Sequence, residues 1–324
     1  MIAAIKAWRN LQACERSEPN LAKNLAQGQQ QLLDYLSGLE RESKRIASIR
    51  SNTQHLALAV RTIVASRKLM RGKPQSSSFV NSAMSALRVI ASIADDVSCP
   101  VFLISGTLLG DRREGKLLAH DIDLDFGILD SDLPAYWRFV DALATHPEVS
   151  KLGVYDPLPH FYQIYPPLRH GPCLPLKTLV VFKNGVVVDV MRHFLMDGAL
   201  YHGSPVNLWK NSPFDLKRQE CLGGISCNVP ENEERYLVEN YGDWRTPVID
   251  YVNFLDTPNW EPTVTARALR QLLLAMLKAL AQRRYDRFGR IQAEALPKFG
   301  AQLHKARERL LRRDSAELVD KRGS

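Results

Sequence analysis

The chain has 324 residues, of which 45% are hydrophobic and 24% charged, and this composition is typical of an ordinary soluble globular protein. Five scattered cysteines without a CxxC pair argue against a disulfide framework, and neither a signal peptide nor an apolar stretch long enough to cross a bilayer is present. The net charge of +8 is uneven, because residues 98–263 hold 14 Lys and Arg against 22 Asp and Glu. We therefore expect a cytoplasmic protein with an acidic centre and basic flanks.

Residues 1–97 are predicted to form a helical N-terminal region. Between Leu21 and Met70, apolar residues recur at spacings of three and four, and Gly and Pro are nearly absent. A linker at 71–78 precedes a second helix, roughly Phe79 to Asp95. The predicted boundaries place a central domain at 98–263 and a basic helical region at 264–324.

An acidic strand is predicted after a short apolar run that ends at Ser105, Gly106 and Thr107. Three aspartates (Asp121, Asp123, Asp125) alternate there with Ile122, Leu124 and Phe126. A strand turns successive side chains to opposite faces, so the carboxylates share one face. Either this face is a solvated edge, or a divalent metal offsets the three charges.

A hairpin is predicted downstream, where Asn184-Gly185 separates two runs rich in β-branched residues, Thr178–Phe182 and Val186–Met191. The second run contains one acid, Asp189. A lone carboxylate in an apolar strand is costly unless it is paired or binds a cation. Asp189 is therefore the natural partner for Asp123 and Asp125.

These features together resemble the nucleotidyltransferase fold, and the residues within the motifs resemble those of the LicD/fukutin family of phosphotransferases. The resemblance covers about 98–260, half of the chain. It rests on the following motifs: Gly106-Thr-Leu-Leu-Gly110, His120-Asp-Ile-Asp-Leu-Asp125, Val188-Asp189-Val190, Arg192-His193, Ser212-Pro-Phe214, Val229-Pro230, Tyr236-Leu237 and Tyr241-Gly-Asp-Trp-Arg-Thr-Pro247. The fold class expected is α/β (α+β), a nucleotidyltransferase-like mixed sheet flanked by helices with an N-terminal helical extension.

The chain departs from the family at His120-Asp121-Ile122-Asp123, where relatives often have Trp-Asp-Asp-Asp. Aligning on the last aspartate makes Asp123 and Asp125 the expected metal ligands, with Asp121 as a helper. The zinc insertion and membrane anchor of some animal relatives have no counterpart, which favours a bacterial-type cytosolic enzyme.

The resemblance implies transfer of a phospho-alditol or phosphocholine group from a CDP-activated donor to a sugar hydroxyl of a surface glycan, with release of CMP. Mg2+ or Mn2+ held by Asp123, Asp125 and Asp189 would be the cofactor. Asp121 or Asp189 could accept the proton of the attacking hydroxyl. The expected substrate-binding residues are Ser105, Gly106, Thr107, Arg112, Arg113, His120, Arg192, Tyr241 and Trp244.

Individual roles can be suggested for several of these residues. Arg112 or Arg113 could clamp phosphate, and His120 could orient a ligand from outside. Tyr241 and Trp244 could stack on a base or sugar, or simply fill a packing corner.

Two other functions stay open. A nucleotidyltransferase would move a nucleoside monophosphate instead, and a non-catalytic module would bind nucleic acid or anionic membrane through the basic flanks. Solvated helix faces are the simpler explanation of those flanks. We expect no nucleic-acid partner and leave peripheral contact with the inner face of the cell membrane open.

Overall fold

A computed structural model describes residues 77–119, 121–130, 133–155, 176–204, 206–248 and 251–306. Most of the predicted N-terminal helical region, including the helix expected between Leu21 and Met70, lies outside these residues. His120 and the end of the basic C-terminal region lie outside them as well. The helix expected from Phe79 to Asp95 is confirmed as α1, Ser77–Asp96.

The described chain forms a large mixed sheet flanked by helices, which confirms that part of the predicted fold class. The strands are β1 Phe102–Leu103, β2 Asp123–Leu129, β3 Val149–Tyr155, β4 Lys177–Phe182, β5 Val187–Met196, β6 Ala199–Gly203, β7 Asn207–Asn211, β8 Leu216–Cys221, β9 Ile225–Pro230 and β10 Trp260–Pro262. After α1, the α-helices are α2 Ser105–Glu114, α3 Leu133–Thr145, α4 Glu233–Tyr241, α5 Asn253–Asp256, α6 Ala266–Ala281 and α7 Tyr285–Arg290. Helical structure continues through a π-helical turn, Ile291–Ala295, to residue 306.

The sheet order is β10-β7-β6-β5-β2-β1-β9-β8, with β4 pairing to both β3 and β5. The predicted hairpin is present as β4 and β5, which pair antiparallel across the Asn184-Gly185 turn. On its other edge β5 runs parallel to β2, and Asp125 lies in register with Asp189. The strand β5 therefore brings the two predicted carboxylate segments side by side.

Two hydrophobic cores stabilise the described chain. The main core packs α1, α3 and the central strands, and its largest fully buried side chains include Phe102, Phe126 and Phe139. The second core packs α6 and residues 291–306 against the far ends of β5, β6 and β7. Among the described residues, no helix combines the length and the apolar character that crossing a membrane requires.

The segment after β1 differs from the sequence expectation. No helix was predicted after the apolar run, whereas the chain forms helix α2 from Ser105 to Glu114. Gly115 ends the helix in the left-handed conformation, at a φ of 63°, which glycine adopts without a Cβ penalty. The basic residues Arg112 and Arg113 occupy its last turn, where cations are favourable. Ser105, Gly106 and Thr107 therefore form the first turn of a helix.

Candidate metal centre

The period-two pattern of the acidic strand places two carboxylates on one face of β2. Asp123 and Asp125 are partly exposed, whereas Leu124 and Phe126 are buried. The apolar residues pack into the main core, so a shift of one residue would bury both carboxylates instead. The predicted alternation of faces is thereby confirmed for β2.

Asp123, Asp125 and Asp189 converge at the start of the two parallel strands. Each offers one carboxylate oxygen, and these three oxygens lie within 4.8 Å of one another. The Oδ1 atom of Asp189 is buried and has no hydrogen-bond partner among the described residues. Carboxylate oxygens are the ligands that Mg2+ and Mn2+ prefer. These three residues, which we call the aspartate triad, therefore fit a divalent cation.

Mutual repulsion and burial make the cluster electrostatically unfavourable when no cation is present. Burial, reinforced by the charges of Asp123, Asp121 and Asp189, raises the pKa of Asp125 well above its ordinary value. Burial raises the pKa of Asp189 as well, and the ammonium of Lys177 opposes this rise. Like charges in a partly desolvated site disfavour the ionised form, and an added divalent cation would reverse that effect.

Asp121 precedes β2 and lies against the first turn of α2. Burial and the neighbouring Asp123 raise the pKa of Asp121 to about 8. A Cβ atom added at Gly106 would collide with the Asp121 carboxylate. The glycine therefore allows the carboxylate to approach the helix start, and the predicted role of Asp121 beside the triad stays a prediction.

A cleft of about 500 Å³ opens above the triad. It is large enough for a small organic ligand. Nine of the predicted site residues line it: Ser105, Gly106, Arg113, Asp121, Asp123, Asp125, Asp189, Tyr241 and Trp244. The structure thus brings most of the predicted site into one cavity.

Three predicted substrate-binding residues do not line this cleft, and we correct their assignment. Thr107 is fully buried, and its hydroxyl accepts a hydrogen bond of 2.8 Å from the Asp125 amide. Arg112 instead forms ion pairs with Asp111 and Glu233 and lines a separate surface groove. Thr107 consequently holds the backbone of β2 in place, and the guanidinium of Arg112 is directed away from the triad.

Arg192 is the third corrected residue. It follows Asp189 by three positions on β5, so its side chain leaves the opposite face of the strand. Its guanidinium is buried and donates two hydrogen bonds, of 3.0 Å and 2.6 Å, to the carboxylate of Asp130. His120, also predicted to bind substrate, lies outside the described residues.

The aromatic residues Trp244 and Tyr241, which line the cleft, already contact other side chains. Trp244 donates from its indole nitrogen to Glu234 at 3.3 Å, and the guanidinium of Arg245 lies 4.3 Å from the centre of its ring. Arg113 donates to the Trp244 carbonyl at 3.3 Å. Tyr241 lies 6.0 Å from Tyr251, measured between ring centres. Stacking on a base or sugar stays a prediction for Tyr241 and Trp244.

Sequence reasoning missed Lys177, which lines the cleft and pairs with Asp189. The register of the predicted hairpin indicates the position of Lys177. A turn at Asn184-Gly185 places Leu179 opposite Asp189, and Lys177, two residues earlier, shares their face. Counting back from the turn would have found it.

His202 was also missed, and no motif marks it. It lies on β6, is fully buried, and stacks on His193 with 4.2 Å between ring centres. Burial lowers the pKa of His202 well below its ordinary value and that of His193 to about 3. Both rings are therefore neutral at physiological pH, and His202 also borders the cleft.

Comparison with known proteins adds no assignment. No protein-family model matches the chain, and no curated protein matches it. The geometry of the cleft and the sequence motifs are therefore the observations on which a function can rest.

Proposed function

We propose that the protein is a metal-dependent phosphotransferase. It would move a phospho-alditol or phosphocholine group from a CDP-activated donor to a sugar hydroxyl of a surface glycan. Such a glycan would be a capsule, a teichoic-acid-like polymer or a lipopolysaccharide. The observation that carries the proposal is the meeting of Asp123, Asp125 and Asp189 within 4.8 Å, in a cleft beside the start of α2. The identities of donor and acceptor rest on the LicD/fukutin resemblance alone.

The reaction breaks the phosphoanhydride bond of the CDP-activated donor and forms a phosphoester bond to the acceptor. The acceptor hydroxyl oxygen forms a bond to the phosphorus that carries the alditol or choline, and the bond from that phosphorus to the CMP oxygen breaks. The hydroxyl proton leaves to a base in the cleft, and CMP departs with the bonding electrons. Such a transfer needs charge neutralisation and in-line positioning more than covalent participation by the protein.

The aspartate triad would supply the charge neutralisation indirectly, because it would hold the cation. Bound Mg2+ or Mn2+ neutralises charge on the pyrophosphate of the donor and on the departing CMP. Asp121 and Asp189 are the candidate proton acceptors. Both carboxyls line the cleft in which the acceptor hydroxyl would bind.

The start of α2 suits an anionic substrate. Ser105 and Gly106 begin the helix and line the cleft, where unpaired backbone amides and the helix dipole favour a phosphate group. The helix start and the triad line the same cleft, with the carboxylate of Asp121 against Gly106.

The proposal is tested by CMP release. The purified full chain is incubated with Mg2+ or Mn2+, an acceptor glycan and, separately, CDP-glycerol, CDP-ribitol and CDP-choline. We expect CMP release from one donor and a loss of at least about 100-fold in Asp123→Ala, since removing a ligand exceeds the effect of removing an outer partner. Asp141→Ala, which alters an exposed acid on α3, is the matched control and should retain full turnover.

Two results would contradict the proposal. Unchanged turnover in Asp123→Ala would remove the metal assignment. Labelled CTP or ATP that leaves its nucleotide on an acceptor and releases pyrophosphate, without CMP release from any CDP-alcohol, would instead identify a nucleotidyltransferase.

A further inference from the structure

An ammonium group lies inside the acidic cleft. Lys177 begins β4, and its Nζ forms an ion pair with the Oδ2 atom of Asp189. The Lys177 side chain keeps 22% of its exposure, compared with 8% for Asp189. The ion pair therefore stands at the boundary between a buried carboxylate and the open cleft.

The register of three strands explains why this lysine competes with a metal. On one side of β5, Asp189 lies in register with Asp125 of β2. On the other side of β5, Asp189 lies opposite Leu179 of β4. Lys177, two residues before Leu179, lies diagonally across from Asp189 on the same face. One oxygen of Asp189 faces the ammonium and the other has no partner among the described residues. A cation held by the triad would share Asp189 with Lys177.

Lys177 is the basic side chain that offsets the negative charge of the aspartate triad. Among the described residues that line the cleft, five are aspartates, and Arg113 and Lys177 are the basic residues. Arg113 is engaged by the Trp244 carbonyl and by Glu114. The Lys177 ammonium also opposes the rise in the pKa of Asp125. Once a divalent cation neutralises the triad, the ammonium is no longer needed for that purpose.

We propose that Lys177 is a positioning residue that exchanges partners. It pairs with Asp189 when the metal is absent, and it binds a phosphate oxygen of a nucleoside diphosphate when the metal is present. Lysine suits this task, because its ammonium is a compact charge on a flexible stem that binds phosphate without a fixed geometry. The inference rests on the proposed function, because it takes the triad to be a metal centre.

The exchange has two consequences of opposite sign. Removing the ammonium removes a competitor for Asp189, so metal binds more tightly. It also removes a partner for phosphate, so the nucleotide binds more weakly. A lysine that merely held Asp189 in place would weaken metal binding when removed and leave nucleotide affinity unchanged.

The experiment measures both affinities by calorimetry on the full chain. Mn2+ is titrated into wild type, Lys177→Met and Lys177→Arg, and CDP is then titrated into each Mn2+-saturated protein. For Lys177→Met we expect Mn2+ to bind about 3-fold more tightly, as for a partly exposed ion pair. We expect CDP to bind about 10-fold more weakly, as for the loss of a charged hydrogen bond.

Two variants act as controls. Lys177→Arg keeps the charge and should keep CDP affinity within about 3-fold of wild type. Lys183→Met removes an exposed lysine in the turn of the same hairpin and should match wild type in both titrations. If Lys177→Met fails to fold, as judged by circular dichroism, Lys177→Gln replaces it with a polar side chain of similar length.

The outcomes separate the inference from the function beneath it. Weaker Mn2+ binding in Lys177→Met, or unchanged CDP affinity, would overturn the exchange of partners while leaving the metal centre intact. A wild-type chain that binds no Mn2+ would contradict the proposed function itself.

Discussion

Two groups of acidic residues in this molecule differ in how far cationic side chains compensate their charge. At the surface groove beside α4, Glu233 has two cationic partners, Arg112 and Lys217. Among the described residues that line the cleft, four aspartates (Asp121, Asp123, Asp125, Asp189) lie near one another, and Lys177 pairs with Asp189. The first arrangement balances its charges within the protein. The second does not, and an excess of negative charge in a cavity is what a cation-binding site requires.

The pKa values follow this difference. Hydrogen bonds from Arg245 lower the pKa of Glu234, which stands at the edge of the surface groove. Burial and neighbouring carboxylates raise the pKa values of Asp121 and Asp125 in the cleft. Carboxyls that accept hydrogen bonds from a cation have lowered pKa values, whereas strongly perturbed values of buried carboxyls are common at functional sites. Mutations in either group of acids test this difference.

The largest effect on stability is expected where a balanced pair is broken. Asp130→Ala removes the carboxylate that accepts two hydrogen bonds from the buried Arg192. We expect the free energy of unfolding to fall by about 1–2 kcal/mol, in the lower range for a buried charge that loses a partner, because Asp130 is partly exposed. Urea unfolding measures this loss, and Asp141→Ala should change stability by less than about 0.5 kcal/mol.

Metal affinity should not follow that loss of stability. Asp130 lies on the other side of β5 from the triad, so Mn2+ binding by folded Asp130→Ala should equal that of wild type. A large drop in Mn2+ affinity would show that the two groups of acids are not independent.

A smaller effect of opposite sign is expected in the cleft. Asp125→Asn removes one charge from the repulsive cluster while keeping the side-chain shape. In metal-free protein we expect the free energy of unfolding to rise by about 1 kcal/mol, the equivalent of roughly one pKa unit of relieved repulsion. The same urea titration measures it, and a loss of stability would contradict the account of the cluster as unbalanced.

Metal should reverse the order of these two proteins. Excess Mn2+ stabilises a folded chain that binds it, so wild type should gain stability and Asp125→Asn should gain much less. Equal gains would place the metal elsewhere.

A third effect is a dependence on pH. The pKa of Asp121 is raised to about 8 from an ordinary value of 3.8, by burial and by Asp123. Between these values the unfolded chain is ionised at this position while the folded chain holds its proton. The contribution of Asp121 to stability is therefore present at low pH and is lost as pH rises from about 4 to about 8.

Comparison with Asp121→Asn isolates this contribution. The stability of metal-free wild type, relative to the variant, should decline between pH 5 and pH 8. A constant difference across that range would show that Asp121 titrates normally.

The strands around the site could be predicted from the sequence because their signals are local. Alternation of Asp123, Leu124 and Asp125 identified the faces of β2, and Asn184-Gly185 identified the hairpin. Sheet pairing is not local, and the parallel register of Asp125 with Asp189 required the structure. The cost of a lone carboxylate in an apolar strand, rather than spacing, led us to group Asp189 with Asp123 and Asp125 in advance.

Long side chains limited the prediction of the site more than the backbone did. Arg112 follows a glycine-containing motif, yet Glu233, more than a hundred residues later, takes its guanidinium. Partners so distant in the chain leave no local pattern, and Arg192 was misplaced because Asp130 binds it on the opposite face.

The central claim is that Asp123, Asp125 and Asp189 hold a divalent cation. Its most direct test is a calorimetric titration of Mn2+ into the wild-type chain, Asp123→Asn, Asp189→Asn and the surface control Asp141→Asn. The account predicts saturable binding to wild type and to Asp141→Asn, with affinity at least about 10-fold lower in both triad variants. Binding of equal affinity in all four proteins, or no binding to wild type, would contradict it.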